Sequence, residues 1–282
     1  MILWPHCRTA RDLGGLLTSN GGQVRAGALI RSDNLDQLND EGLAAVRNAG
    51  VSRIVDLRSA WECETFPSPF ADDERWLNVP LTDPGDPDVS VQDLFEQYRL
   101  LIDDYSQRFA SAVAAIADAP PGCVVVACHA GKDRTGLVVA LTLDLLGVPH
   151  TAIAADYATA PEPKVVSSLP ELAPPRPETI LRILAHLQTR YGGTAPYLLQ
   201  AGATATQLTA LTSRLGSFGE HLGQSRMFAP VWFVRVEGRT GDGSWGWSWL
   251  LWLLRLWLDW RRGWRLQGRR TRCRRDWMRW LP

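Results

Sequence analysis

The chain reads as an α/β protein, and three observations carry that reading. Val124-Val125-Val126-Ala127 is a largely β-branched run that ends at Cys128; Arg134 follows six residues on, and Thr135-Gly136 then opens Leu137–Leu146, an apolar segment of good helix formers. Strand, tight loop, helix is the parse. A helical pattern up to Asn48 precedes the apolar run Val51–Leu57, and a helical pattern over 91–118 precedes the 124–127 run. A strand that arrives after a helix is how parallel sheets are wired.

Taken in order, Ala10-Arg11-Asp12-Leu13-Gly14-Gly15 opens the ordered part, and Asn20-Gly21-Gly22 is a turn between short extended pieces. Gly27–Asp33 is a short strand running into a loop. Asn39 or Asp40 caps a helix that carries Leu43 and Val46 on one face and stops at Gly50. Val51–Arg58 is a buried strand ending in charge, and Trp76–Leu81 is a further strand. Thr82–Pro87 is a turn-rich acidic loop. Over 91–118, Leu94, Tyr98, Leu101 and Ile102, then Phe109, Val113 and Ile116, recur at helical spacing until Ala119-Pro120-Pro121-Gly122 breaks the run. Beyond the loop, Ala152–Ala158 is a short helix, and the proline-rich stretch 160–177 is a loop or lid. A helix starts at Pro177 or Glu178, and short helices near Tyr197–Leu199 and Thr206–Leu215 close the globular part.

Composition narrows the function classes. Five cysteines without regular spacing and without a Cys-x2-Cys pair argue against a disulfide scaffold or a zinc site. The N-terminal residues lack a basic region followed by a long apolar core, so no signal peptide is expected, and a reducing cytoplasm suits a reactive thiol. Secretion without a signal peptide and peripheral membrane association stay open. Net charge is zero, yet residues 221–282 hold 13 Arg against four acidic residues, a balance of +9 that leaves −9 for the remainder. Lys132 and Lys164 are the two lysines of the chain, so a lysine inside the 128–134 loop stands out.

That loop has a chemistry of its own. Backbone N–H groups wrapped around one sulfur at a helix N-terminus favour an anion. Arg134 adds a planar fork that grips two oxygens of a phosphate. Such surroundings favour the thiolate, and a thiolate facing a bound phosphoryl group is a nucleophile aimed at phosphorus.

Cys128-His129-Ala130-Gly131-Lys132-Asp133-Arg134-Thr135-Gly136 resembles the Cys-x5-Arg signature of cysteine-dependent phosphatases. More narrowly, it is similar to the bacterial tyrosine-specific and dual-specificity, phosphoinositide-active family that carries Lys-Asp before the arginine. Arg11-Asp12-Leu13-Gly14-Gly15, Arg31-Ser32-Asp33 and Val55-Asp56-Leu57-Arg58-Ser59 precede the cysteine in the family's order, and the resemblance covers roughly 8–216. It implies a central, mostly parallel sheet flanked by helices and a phosphatase domain over 1–216, with an atypical Trp/Arg-rich tail over 217–282. It also implies hydrolysis of a phosphorylated protein or a phosphoinositide through a phosphocysteine, without metal or cofactor. Cys128 would be the nucleophile, Arg134 the phosphate ligand and Asp133 the acid/base. His129, Ala130, Gly131, Lys132 and Thr135 would line the phosphate site, with Asp56 and Arg58 close by at a strand end. Thr135 would donate to the sulfur. Asp83, Asp86 and Asp88, on the acidic loop, are weaker candidates for the acid. Lys132 extends the positive field toward a second phosphate on an inositol ring.

One departure stands out. The family usually has His before the cysteine, a residue that orders the loop and favours the thiolate; this chain has Ala127. A catalytically weak phosphate- or phosphoinositide-binding module is therefore the second reading, and sulfur transfer or arsenate reduction the third. In the tail, ten of the 13 tryptophans fall in 232–280, and Ser248–Trp260 is apolar nearly all round before an Arg-rich run. It is short of the roughly 20 residues a spanning helix needs. A disordered tail without function, contact with a membrane interface and, least, contact with nucleic acid are its three readings; a nucleic-acid partner is not expected.

Overall fold

The computed structural model describes residues 4–86, 93–159 and 175–217. Asp88, most of the 160–177 stretch and the tail from residue 218 lie outside the described residues. Among those described, the elements are β1 (Arg11–Asp12), β2 (Gln23–Val24), β3 (Leu29–Ser32), α1 (Asp40–Asn48), β4 (Val51–Asp56), α2 (Ala60–Thr65), β5 (Trp76–Asn78), α3 (Leu94–Asp104), α4 (Ser106–Ala117), β6 (Cys123–Ala127), α5 (Asp133–Leu145), α6 (His150–Ala158), α7 (Pro177–Tyr191), α8 (Thr194–Gln200), α9 (Ala205–Leu215) and β7 (Gly216–Ser217).

The main sheet runs β1-β3-β6-β4-β5, with β1 antiparallel to β3 and every other pairing parallel. It is the expected α/β architecture. β6 is central because nothing polar interrupts it: Val124, Val125 and Val126 are fully buried, one covered on each face in alternation. Each such valine contributes about 1.5–3 kcal/mol by leaving water. Val124 and Val126 face the larger core with Phe109, Val113, Leu137 and Leu141, and Val125 faces a second core with Trp4, Ile54 and Val46. Ser32 of β3 and Asp56 of β4 both sit opposite Ala127. Three strands therefore end level with Cys128, at the carboxyl edge where parallel sheets bind ligands.

Local chemistry explains the boundaries. Asn39 caps α1 by accepting from Gly42 N–H, and Gly50 then turns the chain at φ +66°. α7 starts on Pro177 and stops at Gly192, which is left-handed at φ +82°. The helical pattern over 91–118 forms two helices rather than one. Tyr105 leaves helical geometry (φ −115°, ψ 31°), and Arg108 stacks over its ring at 4.4 Å. The bend lets α3 pack on α7 while α4 packs on α8 and α9. The order starts earlier than expected, since Trp4 and Cys7 are core residues. Two elements escaped the sequence reading: α2, and the strand β7, which pairs with β2. Among the described residues no helix is long and apolar enough to cross a membrane.

Candidate active site

Cys128 is the first residue beyond β6 and 2 % exposed, on the floor of the loop. Gly131 turns the loop back at φ +67°, and its N–H donates to Cys128 Sγ at 3.2 Å. Gly131 is also required by space: a Cβ there would lie 2.6 Å from Asp33 N and would collide with Thr9 Oγ1. Thr9 and Arg8 are pinned in turn, because both backbone N–H groups donate to the Asp33 carboxylate at the end of β3.

The loop's carbonyls have partners as well. Arg31, fully buried in β3, donates to Gly131 O at 2.7 Å and to Asp156 Oδ2 at 2.6 Å, and Asn34 N–H donates to His129 O at 3.2 Å. Arg11 Nε binds the other Asp156 oxygen at 2.8 Å. Burial pushes the Asp156 carboxyl up, but the two guanidinium groups prevail and hold it below the usual range. These bonds order the loop in a chain that has Ala127 where a histidine is usual.

Arg134 lies in the first turn of α5. Its Nη1 and Nη2 bind Glu62 Oε2 and Oε1 at 2.5 and 2.7 Å, and Nη1 is 3.4 Å from Thr82 Oγ1. Of the five N–H donors of a guanidinium, Nε–H and one Nη2 hydrogen have no partner among the described residues. Burial lowers the Arg134 pKa, yet the Glu62 hydrogen bond and the charge at Cys128 raise it further, so it stays cationic beside the sulfur. Burial likewise pushes Glu62 up; Arg134 and the Ser59 N–H more than offset this and bring it down to about 2. Glu62 was missed from the sequence, although a signal exists: Ser59-x-x-Glu62 is a capping box, with Glu62 N–H donating to Ser59 Oγ at 3.2 Å and Ser59 N–H to Glu62 Oε2 at 2.9 Å.

Asp133 opens α5, with its side chain 27 % exposed. Its Oδ1 accepts a very short hydrogen bond from Tyr98 Oη and lies 3.5 Å from Lys132 Nζ. Tyr98 and Tyr157 hydroxyls are 2.9 Å apart. The Tyr157 ring fills the space over Gly136, where a Cβ would sit 2.8 Å from it. Neither tyrosine carried a local signal; Tyr98 read as one more residue of an apolar helix face.

The remaining expected site residues fall as follows. His129 is exposed, its ring 5.4 Å from that of Phe66, and Ala130 is half-buried. Lys132 is buried and turned to Asp133. Thr135 corrects an expectation: it is fully buried, and its Oγ1 has no partner among the described residues, so the sulfur's donor is Gly131 instead. Asp56 and Arg58 are close to the loop in register but bind each other. Arg58 Nε and Nη2 reach the Asp56 carboxylate at 2.7–3.1 Å, Nη1 reaches Phe66 O at 2.8 Å, and Trp76 Nε1 caps the pair at 3.2 Å. All three guanidinium nitrogens are thus committed within the protein. On the acidic loop, Asp86 is gripped by both terminal nitrogens of Arg108, whose hydrogen bonds lower its pKa. A carboxylate held in that form is poorly suited to deliver a proton. Among the described residues no cluster of His, Cys, Asp and Glu could hold a metal ion.

Comparison with known proteins gives the family. The chain is 28% identical over 225 residues to a tyrosine-protein phosphatase of Nostoc commune, an alignment covering 70% of this chain and 76% of the relative. It is 29% identical over 278 residues to the triple specificity protein phosphatase PtpB of Mycobacterium tuberculosis, covering 85% and 92%. The model of the tyrosine phosphatase family matches residues 2–217, and the chain belongs to that family.

Proposed function

We propose that this tyrosine phosphatase hydrolyses phosphate monoesters on proteins through a phosphocysteine at Cys128. The observation that carries the reading is the conjunction of one sulfur, a backbone donor 3.2 Å from it, and a guanidinium locked by Glu62 with two donors to spare. Cys128 Sγ attacks phosphorus, forming the S–P bond as the ester P–O bond breaks. Arg134 and the loop N–H groups hold the non-bridging oxygens, whose charge shifts in the transition state. Asp133 gives its proton to the leaving oxygen. Water then attacks phosphorus and passes a proton to the Asp133 carboxylate, and the S–P bond breaks to release inorganic phosphate. Asp56 and Arg58 brace the end of β4 behind the loop. The catalytic part is residues 1–216 together with Ser217, which pairs with Gln23 through β7 and so does not belong to the tail. The setting is the cytoplasm, with membrane contact reserved for the tail.

A wider substrate range, phosphoserine, phosphothreonine and phosphoinositide included, is supported by the relative named as a triple specificity phosphatase and by Lys132 in the loop. The test is a panel: p-nitrophenyl phosphate, a phosphotyrosine peptide and phosphoinositides, with the wild type, Cys128→Ser and Lys132→Ala. Cys128→Ser abolishes turnover and still binds phosphopeptide, and rapid quench of the wild type traps phosphate on the protein. A wild type without turnover makes the chain a phosphate-binding module. Lys132→Ala loses proportionally more on phosphoinositide; equal loss on both classes removes the lipid substrate.

A further inference from the structure

The carboxyl of Asp133 is held asymmetrically. Oδ1 faces Tyr98 from α3 and Lys132 from the loop, while Oδ2 has no partner among the described residues. Arg134 and Tyr157 are the other titratable groups that feel its charge. A phenol has a single hydrogen. If Tyr98 gives its hydrogen to Asp133, the 2.9 Å contact between the two tyrosines must be made by the hydrogen of Tyr157. The polarity of the chain is therefore defined: Tyr157 O–H donates to Tyr98, and Tyr98 O–H donates to Asp133. Burial, with Asp133 and Tyr157 beside it, holds the Tyr98 phenol well above its usual range, so it stays a donor.

We infer that Tyr98, oriented by Tyr157, is a positioning residue for proton transfer: it occupies Oδ1 so that Asp133 carries and delivers its proton on Oδ2. The inference rests on the proposed role of Asp133 and adds what makes that role geometrically defined. A proton on Oδ1 would displace the Tyr98 donor and lie against the Lys132 ammonium. A proton on Oδ2 leaves Oδ1 as a carbonyl that accepts from Tyr98 in both halves of the reaction. The sequence separation is large, with Tyr98, Asp133 and Tyr157 on three helices, α3, α5 and α6.

The experiment compares kcat/KM for phenyl phosphate and p-nitrophenyl phosphate. The phenol leaving group, near pKa 10 like tyrosine, needs protonation far more than nitrophenolate does. Asp133→Asn is expected to lose about a hundredfold or more on phenyl phosphate and much less on the nitrophenyl ester. Tyr98→Phe keeps the ring and is expected to lose about tenfold more on phenyl phosphate than on the nitrophenyl ester, the scale of one hydrogen bond to a charged group. In the Asp133→Asn background it adds no further selectivity. Equal loss on both esters, or selective loss that persists without the carboxyl, overturns the assignment of Tyr98 alone. A flat profile for Asp133→Asn removes Asp133 as the proton carrier and takes this inference with it. Should Tyr98→Phe fail to fold, Tyr157→Phe carries the test with the same sign and a smaller effect.

Discussion

Replacing Glu62 by glutamine keeps the size of the side chain and removes the charge that orients Arg134. The fork would lose its bidentate anchor at 2.5 and 2.7 Å. We expect kcat/KM to fall roughly ten- to hundredfold, since one charge-assisted hydrogen bond is worth about 1.5–3 kcal/mol. The pair also makes stability depend on pH. The folded Glu62 carboxyl sits at about 2, below its ordinary 4.5. A carboxylate depressed in this way adds stability that is complete above its unfolded value and is lost as pH falls toward the folded one. Urea midpoints of wild type and Glu62→Gln should therefore stand apart near neutral pH and converge as pH drops through that window; a gap that does not change with pH would count against the pair.

At the scale of elements, the 128–134 loop is a turn with no room to vary. Alanine at Gly131 must adopt φ +67° and push its Cβ into β3 and Thr9, whereas alanine at Gly21 adopts φ +82° into open space. Gly21→Ala is expected to cost about 1–2 kcal/mol from left-handed strain alone and to leave turnover intact. Gly131→Ala should cost more and abolish turnover. Equal destabilisation in urea, with activity kept in both, would contradict the packing described. α2 teaches a related lesson. It is short, has no buried residue and exposes Trp61, so no apolar periodicity announces it. Its capping box does, and that box aims Glu62. The bend at Tyr105 is not written in the pattern, because both halves of 91–118 keep helical spacing and only their different partners separate them.

Across the whole molecule, the loop is braced from a helix that follows it by some distance along the chain. Asp156 and Tyr157, consecutive on α6, reach the loop by two routes: Asp156 through Arg31 to Gly131 O, and Tyr157 through Tyr98 to Asp133. Removing the Asp156 side chain would leave the guanidinium groups of Arg11 and Arg31 with carbonyl acceptors and without the carboxylate they share, and breaking such a buried cluster costs about 3–5 kcal/mol. Asp156→Ala should show a loss of that order in urea denaturation together with weakened turnover. A loss within the range of an ordinary surface substitution, about 0.5 kcal/mol, would mean that α6 does not brace the site.

The sequence by itself determined the α/β class, the order of strands and helices around the cysteine, and the nine residues of the loop, because those depend on local periodicity, turn chemistry and a contiguous string. It also gave a buried strand ending in charge at Asp56 and Arg58, and the resemblance put that end close to the loop. Only the tertiary structure decided that these two bind each other, that Thr135 leaves the sulfur to Gly131, and that Glu62, Tyr98, Asp156 and Tyr157 complete the site. The Arg134–Glu62, Tyr98–Asp133, Tyr98–Tyr157 and Arg31–Asp156 pairings join elements distant in the chain, and whether a buried charge or hydroxyl meets its partner there depends on how helices and strands pack, which no local pattern encodes.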